Sequence, residues 1–110
     1  MKGYKIWFTD EAKAHLRQIS LYISDHLKAP QASINVTSDL KEAIFSLRSL
    51  PERIPLSRDE RLKKCGIRCM VVRKYLIYFR LDESARQVII RAVIYGRRDQ
   101  TAQVENIIED

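Results

Sequence analysis

The sequence predicts an α+β domain: a helical hairpin packed on one face of a twisted, mostly antiparallel four-stranded sheet. Three observations lead to this fold class. Apolar residues recur at helical gaps between Ala12 and Leu47, and they alternate at strand period in 4–8 and again across 67–95. Only the short connection "APQ" separates the two helical stretches, so they should lie antiparallel. The element order is then β-α-α-β-β-β, with one sheet face left for the hairpin to cover.

Each element has its own signal. In "YKIWF" (4–8), Tyr4, Ile6 and Phe8 fall on one side and Lys5 and Trp7 on the other, which is the mark of a strand. Thr9 follows as a helix N-cap, with Asp10 and Glu11 in the first turn where the helix dipole favours carboxylates. Ala12, Leu16, Ile19, Ile23 and Leu27 form one stripe of an amphipathic helix running from 10 to about 27. Pro30 suits the first turn of a second helix, whose apolar side is Ile34, Leu40, Ile44 and Leu47 and which ends near Ser49. "LPERIPLSRDERLKKCG" holds two prolines and a glycine and reads mostly as loop. Strands are predicted at 67–73, 75–81 and 87–95, all rich in β-branched and aromatic residues. A short acidic C-terminal helix capped by Thr101 is expected last.

The chain has 110 residues, 45% of them hydrophobic and 31% charged, which suits a single soluble domain spanning 1–110. No apolar run reaches the roughly 20 residues needed to cross a bilayer, and the start lacks the apolar core of a signal peptide. A cytoplasmic protein without membrane association is the expectation. Cys65 and Cys69 have no second ligand pair, so no metal site is expected; on one strand face they would stand about 13 Å apart, too far for a disulfide. They read as buried thiols.

Charge is unevenly placed. The net charge is +6, but residues 51–100 carry thirteen Lys/Arg against six Asp/Glu, and the last ten residues contribute −3. A polyanion or an acidic partner would be drawn to the second half. Alternation then sorts the strands. Ile67, Cys69 and Val71, with Ile77, Phe79 and Leu81, and with Val88, Ile90, Ala92 and Ile94, are expected beneath the helices. The other parity holds Arg68, Met70, Val72, Tyr78, Arg80, Ile89, Arg91, Val93 and Tyr95, together with Lys5 and Trp7. An open face bearing three arginines among aromatic and aliphatic groups is suited to phosphate and base recognition. Arg97 and Arg98 would sit at its edge, and the loop adds Lys63 and Lys64. Solvated charges on an open antiparallel sheet are the plain alternative, yet Trp7, Val72, Ile89 and Val93 on the same face favour a binding surface.

Other chemistry is sparse. His15 and His26 lie on the first helix, away from the arginines, and are expected to be a surface and a helix-end residue. No nucleophile elbow, phosphate loop, dinucleotide fingerprint or zinc-protease motif occurs. No cofactor is expected.

The run "EAKAHLRQISLYISDHL", then "PQAS", "LRSLPE", and "GIR…YLIYFRLDE…VIIRAVIYGRRD" resembles toxins of the RelE/ParE superfamily, from Tyr4 to about Asp99. These are the toxin halves of type II toxin-antitoxin modules, associated with growth inhibition and plasmid stabilisation. The resemblance implies a cognate antitoxin whose C-terminal segment wraps the basic surface. It also offers two mechanisms. RelE-like members cleave mRNA on the ribosome without a metal; Arg68 of "GIR" and Arg98 of "YGRRD" match their functional arginines, and proton transfer would fall to Tyr95, Asp99 or a loop Lys or Glu. ParE-like members inhibit DNA gyrase and perform no known hydrolysis. This chain lacks the tyrosine that RelE keeps beyond its last arginine, and Gly96 stands near the place of a histidine acid found in related toxins. Its long helical hairpin also looks more like ParE. The expectation is therefore a ParE-like toxin whose basic sheet face, through Trp7, Arg80, Arg91, Arg97, Lys63 and Lys64, meets its target or antitoxin. A ribosome-dependent nuclease and a non-toxic nucleic-acid-binding module are the alternatives.

Overall fold

The structure is a computed structural model that describes residues 3–96 and Ile107. The elements run β1 (Lys5–Phe8), α1 (Asp10–Leu21), a π-helical turn (Tyr22–His26), α2 (Pro30–Ser46), a 3-10 turn (Pro51–Arg53), α3 (Glu60–Lys64), β2 (Ile67–Val72), β3 (Tyr75–Asp82) and β4 (Gln87–Tyr95). The sheet order is β1-β4-β3-β2, with β1 parallel to β4 and the remaining pairs antiparallel. The parallel pair follows from the fold: the helical hairpin and two strands separate β1 from β4, long enough for a crossover. Thr101 and its expected helix, with Arg97, Arg98 and Asp99, lie outside the described residues.

Local chemistry sets the helix ends. The Thr9 hydroxyl accepts from the Ala12 N–H at 3.1 Å, capping α1 as the sequence predicts. The first helix is not α-helical to its end; it loosens into a wider turn at Tyr22–His26, where the Tyr22 and His26 rings stack at 5.2 Å. Pro30 sits in the first turn of α2. Within the expected loop, the sequence reading missed α3. Its signal was present: the Asp59 carboxylate accepts from the N–H groups of Arg61 and Leu62 at 2.9 and 3.2 Å, and Gly66 follows at φ +74 to turn the chain into β2.

Two apolar clusters lie on opposite sides of the sheet. The larger one sets Leu40, Ile44 and Leu47 of α2 and Ala12 of α1 against Met70, Ile77, Phe79, Val88, Ile90 and Val93. The smaller joins Leu62 of α3 and Ile107 to Ile67, Tyr78, Ala92 and Ile94. That second cluster corrects the face assignment on β2. Met70 and Val72 face the helices, whereas Ile67 and Cys69 lie on the far side. The expectation that Ile67, Cys69 and Val71 press on the hairpin rested on one buried face; here both faces carry apolar groups, so the pattern on β2 reads equally well in either phase.

Strand β4 is corrected for a different reason. Ile90 pairs with Phe79 and Ala92 with Tyr78, leaving Arg91 without a partner on β3. This bulge shifts the phase by one residue. Val88 and Ile90 face the helices as expected, but Val93 joins them and Ala92 and Ile94 turn to the far side. The first helix accommodates the bulge. The Thr9 hydroxyl donates to the Arg91 carbonyl at 3.2 Å, and the Val93 N–H donates to His15 Nδ1 at 3.2 Å. His15 is thus half-buried and bonded to the sheet, not the surface residue the sequence suggested. Its role satisfies a backbone donor that the irregular ladder would leave orphaned.

Candidate functional site: the far face of the sheet

Register assigns the far face directly, because cross-strand partners share a side. Trp7 pairs with Ile89, Ile89 with Arg80, and Arg80 with Ile67, which belongs to the far-side cluster. One row therefore crosses all four strands as Trp7, Ile89, Arg80 and Ile67. Lys5 stands two residues before Trp7 on the same side, opposite Gln87. Trp7 is 53% exposed, a large apolar surface for a single side chain to leave in water. Arg80 is exposed and makes no hydrogen bond or ion pair among the described residues. It stands two strands from Trp7, about 10 Å at the usual strand spacing.

The other sequence-predicted residues divide sharply. Arg91 also belongs to the far side: its Nη2 donates to the carbonyl of Ile107 at 2.7 Å, within the second cluster. Lys63 and Lys64 are exposed on α3, whose Leu62 packs on this face. Arg68 does not join them. It pairs with Phe79 and so lies on the helix side, where Nη1 donates to the carbonyls of Ile54 at 2.6 Å and Glu52 at 3.3 Å. The expected cluster of Arg68, Arg80 and Arg91 on one face is not formed. Tyr95 is likewise turned, by the bulge, to the helix side, where its ring meets Tyr75 edge-on at 5.6 Å. There it lines a cleft of about 560 Å³ with His15, Ile19, Tyr22, Tyr75 and Val93.

Many of the other arginines in the basic half have structural partners. Arg53 donates to the carbonyls of Ser49 and Leu50 in the connection after α2, Arg73 pairs with Asp39 at 2.7 Å, and Arg61 lies 3.7 Å from Asp59. Arg86 stacks on the Tyr4 ring at 4.1 Å and donates to its hydroxyl, which in turn donates to Glu83 at 3.1 Å. Burial first, and then the Glu83 carboxylate, push the Tyr4 phenol above its ordinary range, while the Arg86 charge pulls it back. These side chains tie loops down. That sequence reasoning overcounted the free cations has a simple cause: guanidinium groups near unpaired carbonyls become caps.

On the far face the titratable pair is Cys69 and Tyr78, directly opposite each other on β2 and β3. Burial raises Tyr78 to about 12, helped by Cys69, and burial raises the Cys69 thiol against a lowering hydrogen bond from Tyr78. Both are therefore protonated at neutral pH, and a protonated thiol is a poor nucleophile. Cys65 caps the end of α3 and is exposed, unlike the buried thiol expected. Among the described residues, no three His, Cys, Asp or Glu side chains gather as a metal cluster, and no helix is long and apolar enough to cross a membrane.

Comparison with known proteins gives the family. Residues 6–100 match the family model described as ParE toxin of type II toxin-antitoxin system, parDE. Among solved structures, the chain is similar to one of the chromosomal ParDE toxin-antitoxin system from P. aeruginosa, with a TM-score of 0.69 and 17% identity over 84% of this chain and 95% of that one. It is also similar to the toxin-antitoxin complex RelBE2 from Mycobacterium tuberculosis, with a TM-score of 0.63 and 21% identity over 84% of this chain and 98% of that one. No curated protein matches it in sequence. At these identities the structures share the fold alone, while the family model spans nearly the whole domain. The chain belongs to the ParE family of toxins of type II toxin-antitoxin systems.

Proposed function

We propose that this toxin arrests growth by acting on DNA gyrase through the far face of its sheet, and that a cognate antitoxin neutralises it. The observation that carries the reading is the row of Trp7, Ile89 and Arg80: an exposed indole and an exposed guanidinium with no partner among the described residues, held by three adjacent strands on the side away from the hairpin. A rigid sheet presents such a row with little loss of side-chain freedom, and Trp and Arg are the side chains that dominate protein interfaces. An acidic, partly apolar antitoxin segment matches the same surface.

The nuclease alternative has weaker support. Its two described residues, Arg68 and Tyr95, lie on the helix side, and Arg68 is engaged with loop carbonyls. A phosphate clamp of Arg68 with Arg98 would need Arg68 to leave those bonds. Arg98 lies outside the described residues and carries no weight either way.

Inducible expression with parallel readouts of plasmid supercoiling and mRNA integrity tests the proposal. Loss of negative supercoiling with intact message is expected. Growth should recover when an acidic neighbouring gene product is co-expressed and copurifies. Trp7→Ala and Arg80→Ala should relieve the arrest while leaving the melting temperature within a degree or two. Cuts inside codons with normal supercoiling would transfer the case to the ribosome. Absence of any arrest, with salt-sensitive nucleic-acid binding retained, would make the chain a binding module.

A further inference from the structure

The C-terminal ten residues follow the most basic stretch of the chain and carry a net charge of −3. One of them, Ile107, is 2% exposed and packs with Leu62, Ile67, Tyr78, Ala92 and Ile94 on the far face, and its carbonyl accepts the 2.7 Å hydrogen bond from Arg91. We propose that Ile107 is an intramolecular plug, an autoinhibitory contact that withholds Arg91 and the apolar ground beside it from an anionic partner.

Three features support a releasable contact. Among the described residues, the far-side cluster has two buried members from outside the sheet, Leu62 and Ile107. Leu62 is held in a capped turn between Asp59 and Gly66, so it is fixed by chain on both sides. Ile107 joins the cluster from outside both the sheet and α3, eleven positions beyond Gly96. Second, Arg91 occupies the bulge and lacks a ladder partner on β3, which frees its side chain to be aimed at something other than a cross-strand neighbour. Third, the bond that Arg91 makes is to a neutral carbonyl. A carboxylate or phosphate would accept from the same guanidinium through two charge-assisted bonds, the stronger arrangement. An anion can therefore outcompete the plug, whereas it would gain nothing at Arg73, already paired with Asp39.

Release would change the surface. With Ile107 in place, Arg80 is the arginine that the far face leaves unpaired among described residues. With it displaced, Arg91 joins Arg80, two positions further along β4 than Ile89, and Tyr78, Ala92 and Ile94 become exposed between them and α3. Displacement of Ile107 changes access to this face whatever target binds there.

The test uses the full chain and phenylglyoxal, which modifies accessible guanidinium groups, with sites read by mass spectrometry. In the unmodified sequence Arg91 should react at least about tenfold more slowly than Arg80, the difference between a bonded, half-buried group and an exposed one. In Ile107→Ser, Arg91 should approach the Arg80 rate. Equal rates in the parent chain overturn the plug without reference to any variant, so a variant that fails to fold does not rescue it. A fluorescein-labelled single-stranded oligonucleotide then serves as a polyanionic probe. Ile107→Ser should bind it more tightly, with a salt slope steeper by about 0.7, as one added phosphate contact requires. Adding Arg91→Ala should restore the parent slope. Identical slopes for the parent and a folded Ile107→Ser variant also overturn the proposal. Neither readout depends on growth arrest, so failure of the gyrase reading would leave these outcomes interpretable.

Discussion

The two faces of the sheet are built from the same strands and meet different fates. On the helix side, Ile77, Phe79, Val88 and Ile90 are fully buried beneath α1 and α2. On the far side, Tyr78, Ala92 and Ile94 are covered by Leu62 and Ile107, while Trp7 and Arg80 remain exposed. Charges follow the same division. On the helix side Arg68 caps loop carbonyls; on the far side Arg80 has no partner among described residues. A cation next to ends of helices and loops meets orphan carbonyls and becomes structural, whereas one in the middle of a regular ladder finds every backbone group already paired. Arginine count alone therefore says little about binding; its distance from irregular backbone says more.

This contrast can be broken in several ways. The largest effect belongs to the helix-side core: Phe79→Ala should cost about 3–5 kcal/mol in denaturant unfolding, because a fully buried ring leaves a cavity. A loss below about 1 kcal/mol would mean the hairpin is not tightly seated. Next, Arg68→Ala should cost about 1–3 kcal/mol, since two carbonyls lose a charged donor. If stability stayed unchanged while toxicity vanished, Arg68 would be a functional residue and not a cap. Thr9→Ala should cost about 1 kcal/mol, reflecting both the lost cap of α1 and the lost bond to the bulge at Arg91. Arg80→Ala should change stability by less than about 0.5 kcal/mol, and a larger loss would reveal a structural partner.

The pH dependence sharpens the same comparison. Tyr78 is raised to about 12 in the folded chain, against an unfolded value of about 10. Between those values the folded chain holds a proton that the unfolded chain has lost, so stability is full below about pH 10 and falls as pH rises toward 12. The raised Cys69 thiol acts in the same sense from a lower starting point. Tyr78→Phe should flatten the decline in denaturation midpoint between pH 10 and 12. An unchanged slope would place the phenol in contact with water.

Much of the fold was legible along the chain. The Thr9 cap, Pro30 in the first turn of α2, and the alternation in β1 and β3 each rest on neighbours close in sequence, and each element appears where its pattern puts it. The face of β1 was legible too, because Ile6 and Phe8 are apolar and Lys5 is not. The faces of β2 and the end of β4 were not. In β2 every residue except Arg68 can be buried, so period-two counting has no preferred phase. In β4 the bulge inserts one residue, and no glycine or proline marks it in "VIIRAVIY". Of the three arginines only Arg68 changed side, with β2; the bulge in β4 turned Val93 and Tyr95 but left Arg91 on the far side, and Trp7 and Arg80 lie on strands with an unambiguous phase.

What the sequence alone determined was the inventory: which segments are helix or strand, their order, the basic second half, and the likeness to a toxin superfamily. These depend on local propensity, caps and composition, all of which act over a few residues. Tertiary structure decided the rest. The parallel pairing of β1 with β4, the bulge held by Thr9 and His15, and the second apolar cluster beneath Leu62 and Ile107 all join residues far apart in the chain. Those contacts choose which side of the sheet each guanidinium occupies, because a strand carries no information about its face until something packs against it.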